Sequence, residues 1–229
     1  MPIVRGDVWP QAMDSMYGLE WDGQLDFLQL VGGDDPATPV ANITRKYNEV
    51  RDVALNMGYD GLLTIESDMI VPGDALERLA AVDADVVYGV YIWRRGGYFW
   101  TAYSSLKEKR GKSISRDPGA ARKAWGKVIE TKGVGMGCTL IHRRVLEALP
   151  FKNAPAMNWC CDWALALDCQ EEGFVQKHDL GVICGHIQRD LGISGMGKGY
   201  PQGPKVLWPD ITKPDFYRVE EMKVEGSAR

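Results

Sequence analysis

The chain has 229 residues, 45% of them apolar and 25% charged, which is ordinary globular composition and enough length for a sizeable core. A formal net charge of −4 excludes a global electrostatic pull toward nucleic acid. No apolar run reaches the roughly 18 residues of a membrane span. The opening Met1-Pro2-Ile3-Val4-Arg5-Gly6-Asp7 lacks the apolar stretch of a secretory signal. Five cysteines, two of them adjacent and none in a Cys-x-x-Cys pair, read as reduced thiols packed like small apolar residues. The expectation is a cytoplasmic protein.

In chain order, Val4 and its neighbours fit a short strand, and residues 9–19 carry no decisive period, a helix being one reading. Residues 25–31 read as a strand, closed by the turn cluster Gly32-Gly33-Asp34-Asp35-Pro36. Ile43, Tyr47, Val50, Ala54 and Met57 recur at three- and four-residue spacing, so residues 41–57 are predicted helical, with Gly58 as the stop. A strand through Leu62, Leu63 and Ile65 ends at Glu66; a helix over 73–81 and a strand over 85–91 follow. Strands alternating with helices predict an α/β fold with a mostly parallel central sheet and right-handed crossovers.

The second half is less regular. Residues 98–106 are aromatic and strand-like. Residues 107–123 concentrate Lys107, Lys109, Arg110, Lys112, Arg116, Arg122 and Lys123, reading as a solvated loop or insertion, with anion binding as the alternative. A strand is predicted over 137–141, helices over 143–149 and 160–172, and a last strand over 181–186. Residues 190–208 are Gly-rich and aperiodic, which predicts a loop or lid. The organisation expected is one domain over 1–189, with the Gly-rich loop and a C-terminal extension over 190–229 packing on it.

Residues 61–72 are the most informative stretch. Glu66 and Asp68 sit one residue apart at a strand tip, with the small Ser67 between them. Ligands in open α/β sheets gather at strand carboxyl ends. Paired carboxylates there suit a hard divalent cation that also holds phosphates; the alternative is a polar turn before a helix opened by Pro72. His186 closes an apolar strand and, beside an acidic strand end, reads as a metal ligand, the alternative being a satisfied or exposed histidine. His142 and His178 read as structural. Asp162 is either a catalytic acid–base group or an acid favoured in a first helical turn by the helix dipole. Arg51 is a helix-surface charge or a phosphate partner. The dense aromatics from Tyr91 to Tyr103 are a platform for sugar rings or a buried hairpin. Gly133, Gly135 and Gly137 precede a strand and open no helix, so they are not a dinucleotide fingerprint. They read as close backbone approach to a substrate or as turn geometry.

The order of these blocks resembles the GT-A nucleotide-sugar-dependent glycosyltransferases, particularly the small bacterial and phage members. The order is Asn48 and Arg51 on a helix, Glu66-Ser67-Asp68, the block at 133–149 with its glycines and strand, Asp162, and His186 last. The resemblance runs over about residues 41–190 and implies a Rossmann-like, mostly parallel sheet flanked by helices, with irregular acceptor-side and C-terminal segments. Glu66-Ser67-Asp68 stands where the family has its Asp-x-Asp motif, Glu replacing the first Asp. By that likeness Asp68 and His186 hold Mn²⁺ or Mg²⁺, and Glu66 supports the ion or meets the ribose. Asp162 is the general base of an inverting reaction, although Cys161 replaces the usual Glu before it. Asp34 or Asp35 contacts the nucleotide base.

Carboxylates with one imidazole suit Mn²⁺ or Mg²⁺, and the metal neutralises a leaving diphosphate. The loop at 190–208 is placed to exclude water from the donor, with Lys198 and Tyr200 as its candidate phosphate contacts. The function expected is transfer of a sugar from a UDP- or GDP-sugar to an acceptor hydroxyl on a glycan or other molecule, with no nucleic-acid partner. The rivals are a nucleotidyltransferase and a catalytically silent glycan- or nucleotide-binding protein. The first lacks its expected Gly-rich basic loop at Val4-Arg5-Gly6-Asp7.

Overall fold

The computed structural model describes residues 2–3, 9–31, 39–93, 97–108, 110–153, 161–188 and 204–222. Asp34, Asp35, Lys198 and Tyr200 lie outside them. The first half contains β1 (Pro2–Ile3), α1 (Pro10–Tyr17), β2 (Leu30–Val31), α2 (Pro39–Asn56), β3 (Gly61–Ile65), β4 (Met69–Ile70), α3 (Ala75–Ala80) and β5 (Val86–Val90). Two hairpins follow, β6 (Ile92–Trp93) with β7 (Phe99–Trp100) and β8 (Tyr103–Lys107) with β9 (Arg110–Ser113), and then a 3₁₀ turn (Ile114–Arg116) leading to α4 (Pro118–Ala124). The chain continues through β10 (Val128–Glu130), β11 (Cys138–His142), α5 (Arg143–Ala148), α6 (Cys161–Glu171), β12 (Gln176–Ile183), β13 (Gly185–Gln188), β14 (Lys205–Pro209) and β15 (Tyr217–Glu221). Among the described residues no helix is long and apolar enough to cross a membrane.

The mostly parallel, Rossmann-like sheet expected from the alternation of elements does not form. The largest sheet is mixed, in the order β10-β12-β5-β11-β3, and within it β12 and β5 form the parallel pair. β11 runs antiparallel to both β3 and β5, and β10 antiparallel to β12. A second sheet, β15-β14-β13-β4, is antiparallel throughout, and small two-stranded sheets complete the fold. The physical reason is that a strand buried on both faces reads as an unbroken apolar run whichever way its neighbours point. β5 is buried at every position and β11 at four of its five, so neither pattern encodes direction. Direction was instead decided by the connection. Between β5 and β11 run the two hairpins, α4 and β10, and antiparallel pairing does not depend on a crossover helix.

Smaller elements differ as well. Of the strand expected over 25–31, residues 30 and 31 pair in parallel with β1. The basic stretch at 107–123 is no plain loop: it contributes to the β8–β9 hairpin and forms α4, whose N-cap Asp117 accepts from the Gly119 and Ala120 N–H groups. The last strand begins earlier than expected, as β12, and continues past a break as β13.

Two apolar layers sandwich the mixed sheet, and the period-two alternation of its strands divides them. Val87 and Leu140 join Ile65, Met69, Leu76, Leu79 and Val182 in a cluster with α1 and α3. Val86, Tyr88 and Ile141 face the other way, toward Tyr47, Val145, Leu146, Leu165 and Cys169 of α2, α5 and α6. A third cluster, around Trp100, Ile92, Leu180, Leu207 and Phe216, joins the hairpins to the second sheet.

The glycines ahead of β11 make room for tyrosine rings. A Cβ on Gly133 would stand 2.2 Å from the Tyr88 ring, and one on Gly135 would stand 2.0 Å from the Tyr91 hydroxyl. Gly135 also has φ +122°. The close backbone approach therefore exists, and its partners are aromatic side chains of β5 and its end. Gly135→Ala combines a backbone conformation unfavourable to L residues with overpacking, and should cost roughly 2–4 kcal/mol in urea unfolding. An unchanged midpoint would contradict the packing described.

Candidate metal centre

β3 ends at Ile65, and the chain turns sharply: the Glu66 N–H donates to the Gly137 carbonyl, and the Met69 N–H returns to the Glu66 carbonyl. This turn presents Glu66, Ser67 and Asp68 on the edge of the mixed sheet before the chain enters β4. β4 then pairs antiparallel with β13, placing Met69 opposite His186, and the Ile187 N–H donates to the Asp68 carbonyl at 2.8 Å. Backbone hydrogen bonds thus bring two acids and a distant histidine together.

One ligand atom from each of Glu66, Asp68 and His186 lies within 4.8 Å of the others. Ligands on opposite sides of one ion, each about 2.0–2.6 Å from it, stand about 4–5 Å apart. The cluster therefore has the span of a single divalent cation. The acids are half-buried and His186 is buried.

His186 is fixed from behind. Its Nδ1 lies 2.7 Å from the Ile92 carbonyl, and a carbonyl can only accept, so Nδ1 carries the proton. In the neutral ring this leaves the lone pair on Nε2, which lies 3.8 Å from Asp68 Oδ1. A backbone carbonyl that sets the tautomer of a metal-binding imidazole is a common outer-shell arrangement. The Tyr91 ring meets the imidazole edge-on at a centroid distance of 5.3 Å.

Asp162 occupies the first turn of α6 and is buried, with Oδ1 accepting the Trp163 N–H at 2.7 Å. Burial raises its carboxyl to about 6, opposed by the backbone N–H bonds. That value suits a proton acceptor working near neutral pH. Asp162 and the acids of the cluster lie within electrostatic reach of the same phenol, Tyr91. The Tyr91 phenol is held well above its usual range, first by burial and then by the charges of Glu66 and Asp162, with Asp68 contributing.

The remaining expected residues sort as follows. Ser67 lies half-buried in the turn between the acids. Arg51 points its Nε at the Leu146 carbonyl, 2.6 Å away, and pairs with Asp52, tying α2 to α5. His178 is buried, stacked on Tyr88 and bonded to Thr131; desolvation lowers it to about 3, so it is neutral. His142 closes β11 and precedes α5. Cys138, Cys161, Cys169 and Cys184 are buried.

Two tyrosines escaped the sequence reading as site residues. Tyr91 was grouped with the aromatic run, and Tyr47 with the apolar face of α2. Tyr47 is 2% exposed, and among the described residues its hydroxyl has no hydrogen-bond partner. Burial raises its phenol first, then the charges of Glu66, Cys161 and Asp162. The available signal was a tyrosine at a core helical position, where a leucine would spare the desolvation of a hydroxyl.

No family model matches the chain, and no curated protein matches it. Among solved structures it is similar to A197 from STIV, at 16% identity and a TM-score of 0.53, covering 100% of this chain and 94% of that one. At that identity the likeness speaks for the fold alone, and it extends over the full mixed α/β arrangement.

Asp162 yields a signed prediction. Its folded pKa lies above the unfolded value of about 3.8, so the folded state binds the proton more tightly. The native state then loses stability as pH rises from about 4 through 6, by up to roughly 3 kcal/mol from this group. Asp162→Asn should be more stable than the parent protein at pH 7–8, and the difference should fade toward pH 4 in denaturant melts. A pH-independent difference would contradict a buried, titrating carboxyl.

Proposed function

We propose that this protein is a metal-dependent glycosyltransferase using a nucleoside-diphosphate sugar as donor. The observation that carries the reading is the Glu66–Asp68–His186 cluster, with a buried carboxylate of raised pKa sharing its electrostatic surroundings. Asp68 and His186 would hold Mn²⁺ or Mg²⁺, with Glu66 as a third ligand or a ribose contact. The bound ion would offset the charge on the departing diphosphate.

The chain's own groups supply the rest. Ile92 holds the His186 tautomer, and the β4–β13 pairing sets the separation of Asp68 from His186. In an inverting transfer, Asp162 takes the proton of the acceptor hydroxyl as its oxygen bonds to the anomeric carbon. The bond from that carbon to the diphosphate oxygen breaks, and its electron pair leaves with the diphosphate. The buried setting of Asp162 strengthens its interaction with a developing charge.

A screen of UDP- and GDP-sugars with Mn²⁺ tests the reading. Turnover or hydrolysis of at least one donor is expected. Asp68→Ala and His186→Ala should each lower it by more than the 10–100-fold that losing an outer-shell partner costs. Absence of turnover with every donor, together with absence of metal-dependent nucleotide binding, would overturn the enzyme reading. Full activity in both variants would move the site elsewhere.

A further inference from the structure

A cleft of about 370 Å³ opens where the β6–β7 hairpin meets the 3₁₀ turn and the turn before β15, lined by Tyr98, Ser115, Pro118, Asp215, Phe216 and Tyr217. We propose that this cleft is a saccharide-binding subsite, taking a pyranose ring against Tyr98 and Tyr217 with Asp215 and Ser115 as hydrogen-bond partners. Its role as the acceptor subsite rests on the glycosyl-transfer reading.

The dense aromatic run divides by burial. Trp100, Tyr91 and Tyr103 are core residues, whereas Tyr98 is 42% exposed. Its companion comes from far along the chain: the rings of Tyr98 and Tyr217 lie 5.0 Å apart at 52°. Two tilted rings make a corner, and the apolar C–H face of a sugar ring can lie against either. The cleft volume falls in the range of about 300–1,000 Å³ typical of small-molecule sites.

The wall is pre-formed. Phe216 has φ +60°, a conformation that costs a non-glycine residue about 1–3 kcal/mol and persists where the surroundings over-determine it. Its carbonyl accepts the Trp100 indole N–H at 2.8 Å and the Asp210 N–H at 2.9 Å. Its ring packs against Trp100 and beneath the Arg122 guanidinium. The two residues flanking this fixed point, Asp215 and Tyr217, both line the cleft.

Charge selects the ligand class. Among the described residues the lining contains a carboxylate and no cation, which disfavours phosphates and suits neutral hydroxyl donors. Arg116, adjacent to Ser115, is laid over the Phe99 ring.

The cleft is also tied to the metal centre. The Tyr98 hydroxyl donates to Gln188 Oε1 at 3.5 Å, and Gln188 stands two residues past His186 on β13. Alternate residues share a strand face, so their Cα atoms are roughly 7 Å apart on one side of β13. The same hairpin supplies the Ile92 carbonyl that holds His186.

The test is saturation-transfer NMR of the full chain in EDTA, with the methyl glycosides of glucose, galactose, mannose and N-acetylglucosamine as probes. Saturation transfer to at least one probe is expected. Tyr98→Ala and Tyr217→Ala should weaken it about tenfold, the loss of one aromatic partner. Tyr98→Phe should retain most of the binding, and Tyr17→Ala, which removes an exposed tyrosine outside the cleft, should bind as the parent does. No transfer to any probe, or undiminished binding in both alanine variants, would overturn the proposal. Saccharide binding in EDTA, alongside failure of every donor in the Mn²⁺ screen and absence of metal-dependent nucleotide binding, would support the cleft and overturn the transferase reading on which its acceptor role depends.

Discussion

The candidate site depends on one short strand pairing, β4 with β13. Its backbone bonds set Met69 opposite His186 and link Ile187 to the Asp68 carbonyl. Two carboxylates one residue apart repel each other, and a buried imidazole pays for its desolvation. Neither would stay beside the other without a scaffold. Side chains alternate along a strand, so a slip of one residue in this register would turn His186 away from the acids. The mixed sheet and the second sheet are joined by chain continuity at the same place: β3 runs through the acidic turn into β4, and β12 runs past Cys184 into β13. The candidate metal centre is therefore built on the seam between the sheets.

The seam is also electrostatically distinctive. Glu66, Asp68 and Asp162 all raise the Tyr91 phenol, and Glu66 and Asp162 act likewise on Tyr47. Negative potential gathered in a buried region is a setting that a divalent cation would relieve. The glycines before β11 contribute by leaving space: Gly135 and Gly137 let the Tyr91 ring lie against the backbone, and the Gly137 N–H donates to its hydroxyl. Tyr91 in turn braces the imidazole of His186. Packing, tautomer and charge at the site are thus properties of one connected set of residues.

Helices were the more legible elements, because their apolar period is a property of the local sequence. The 3–4 spacing of Ile43, Tyr47, Val50 and Ala54 lies within α2, and the helices expected over 143–149 and 160–172 correspond to α5 and α6 within a residue or two. The acids at the end of β3 were visible because Glu66 and Asp68 interrupt an apolar run. Sheet direction was not visible, since the burial of β5 and β11 on both faces erases any sign of it. Nor could the sequence distinguish Tyr98 from Trp100, two neighbours in an aromatic run, of which one faces a cleft and the other is wholly buried.

By itself, then, the sequence determined which residues are the candidates for chemistry: an acidic strand end, a histidine closing a strand, an aspartate opening a helix. These are features of residue type and short-range spacing, and local physics suffices to read them. Tertiary structure alone decided that Asp68 and His186 meet, that β11 inserts antiparallel between β3 and β5, and that Tyr217 comes to stand beside Tyr98. Each is a pairing between segments far apart along the chain, fixed by hydrogen bonding and packing between elements whose own sequences do not name their partners.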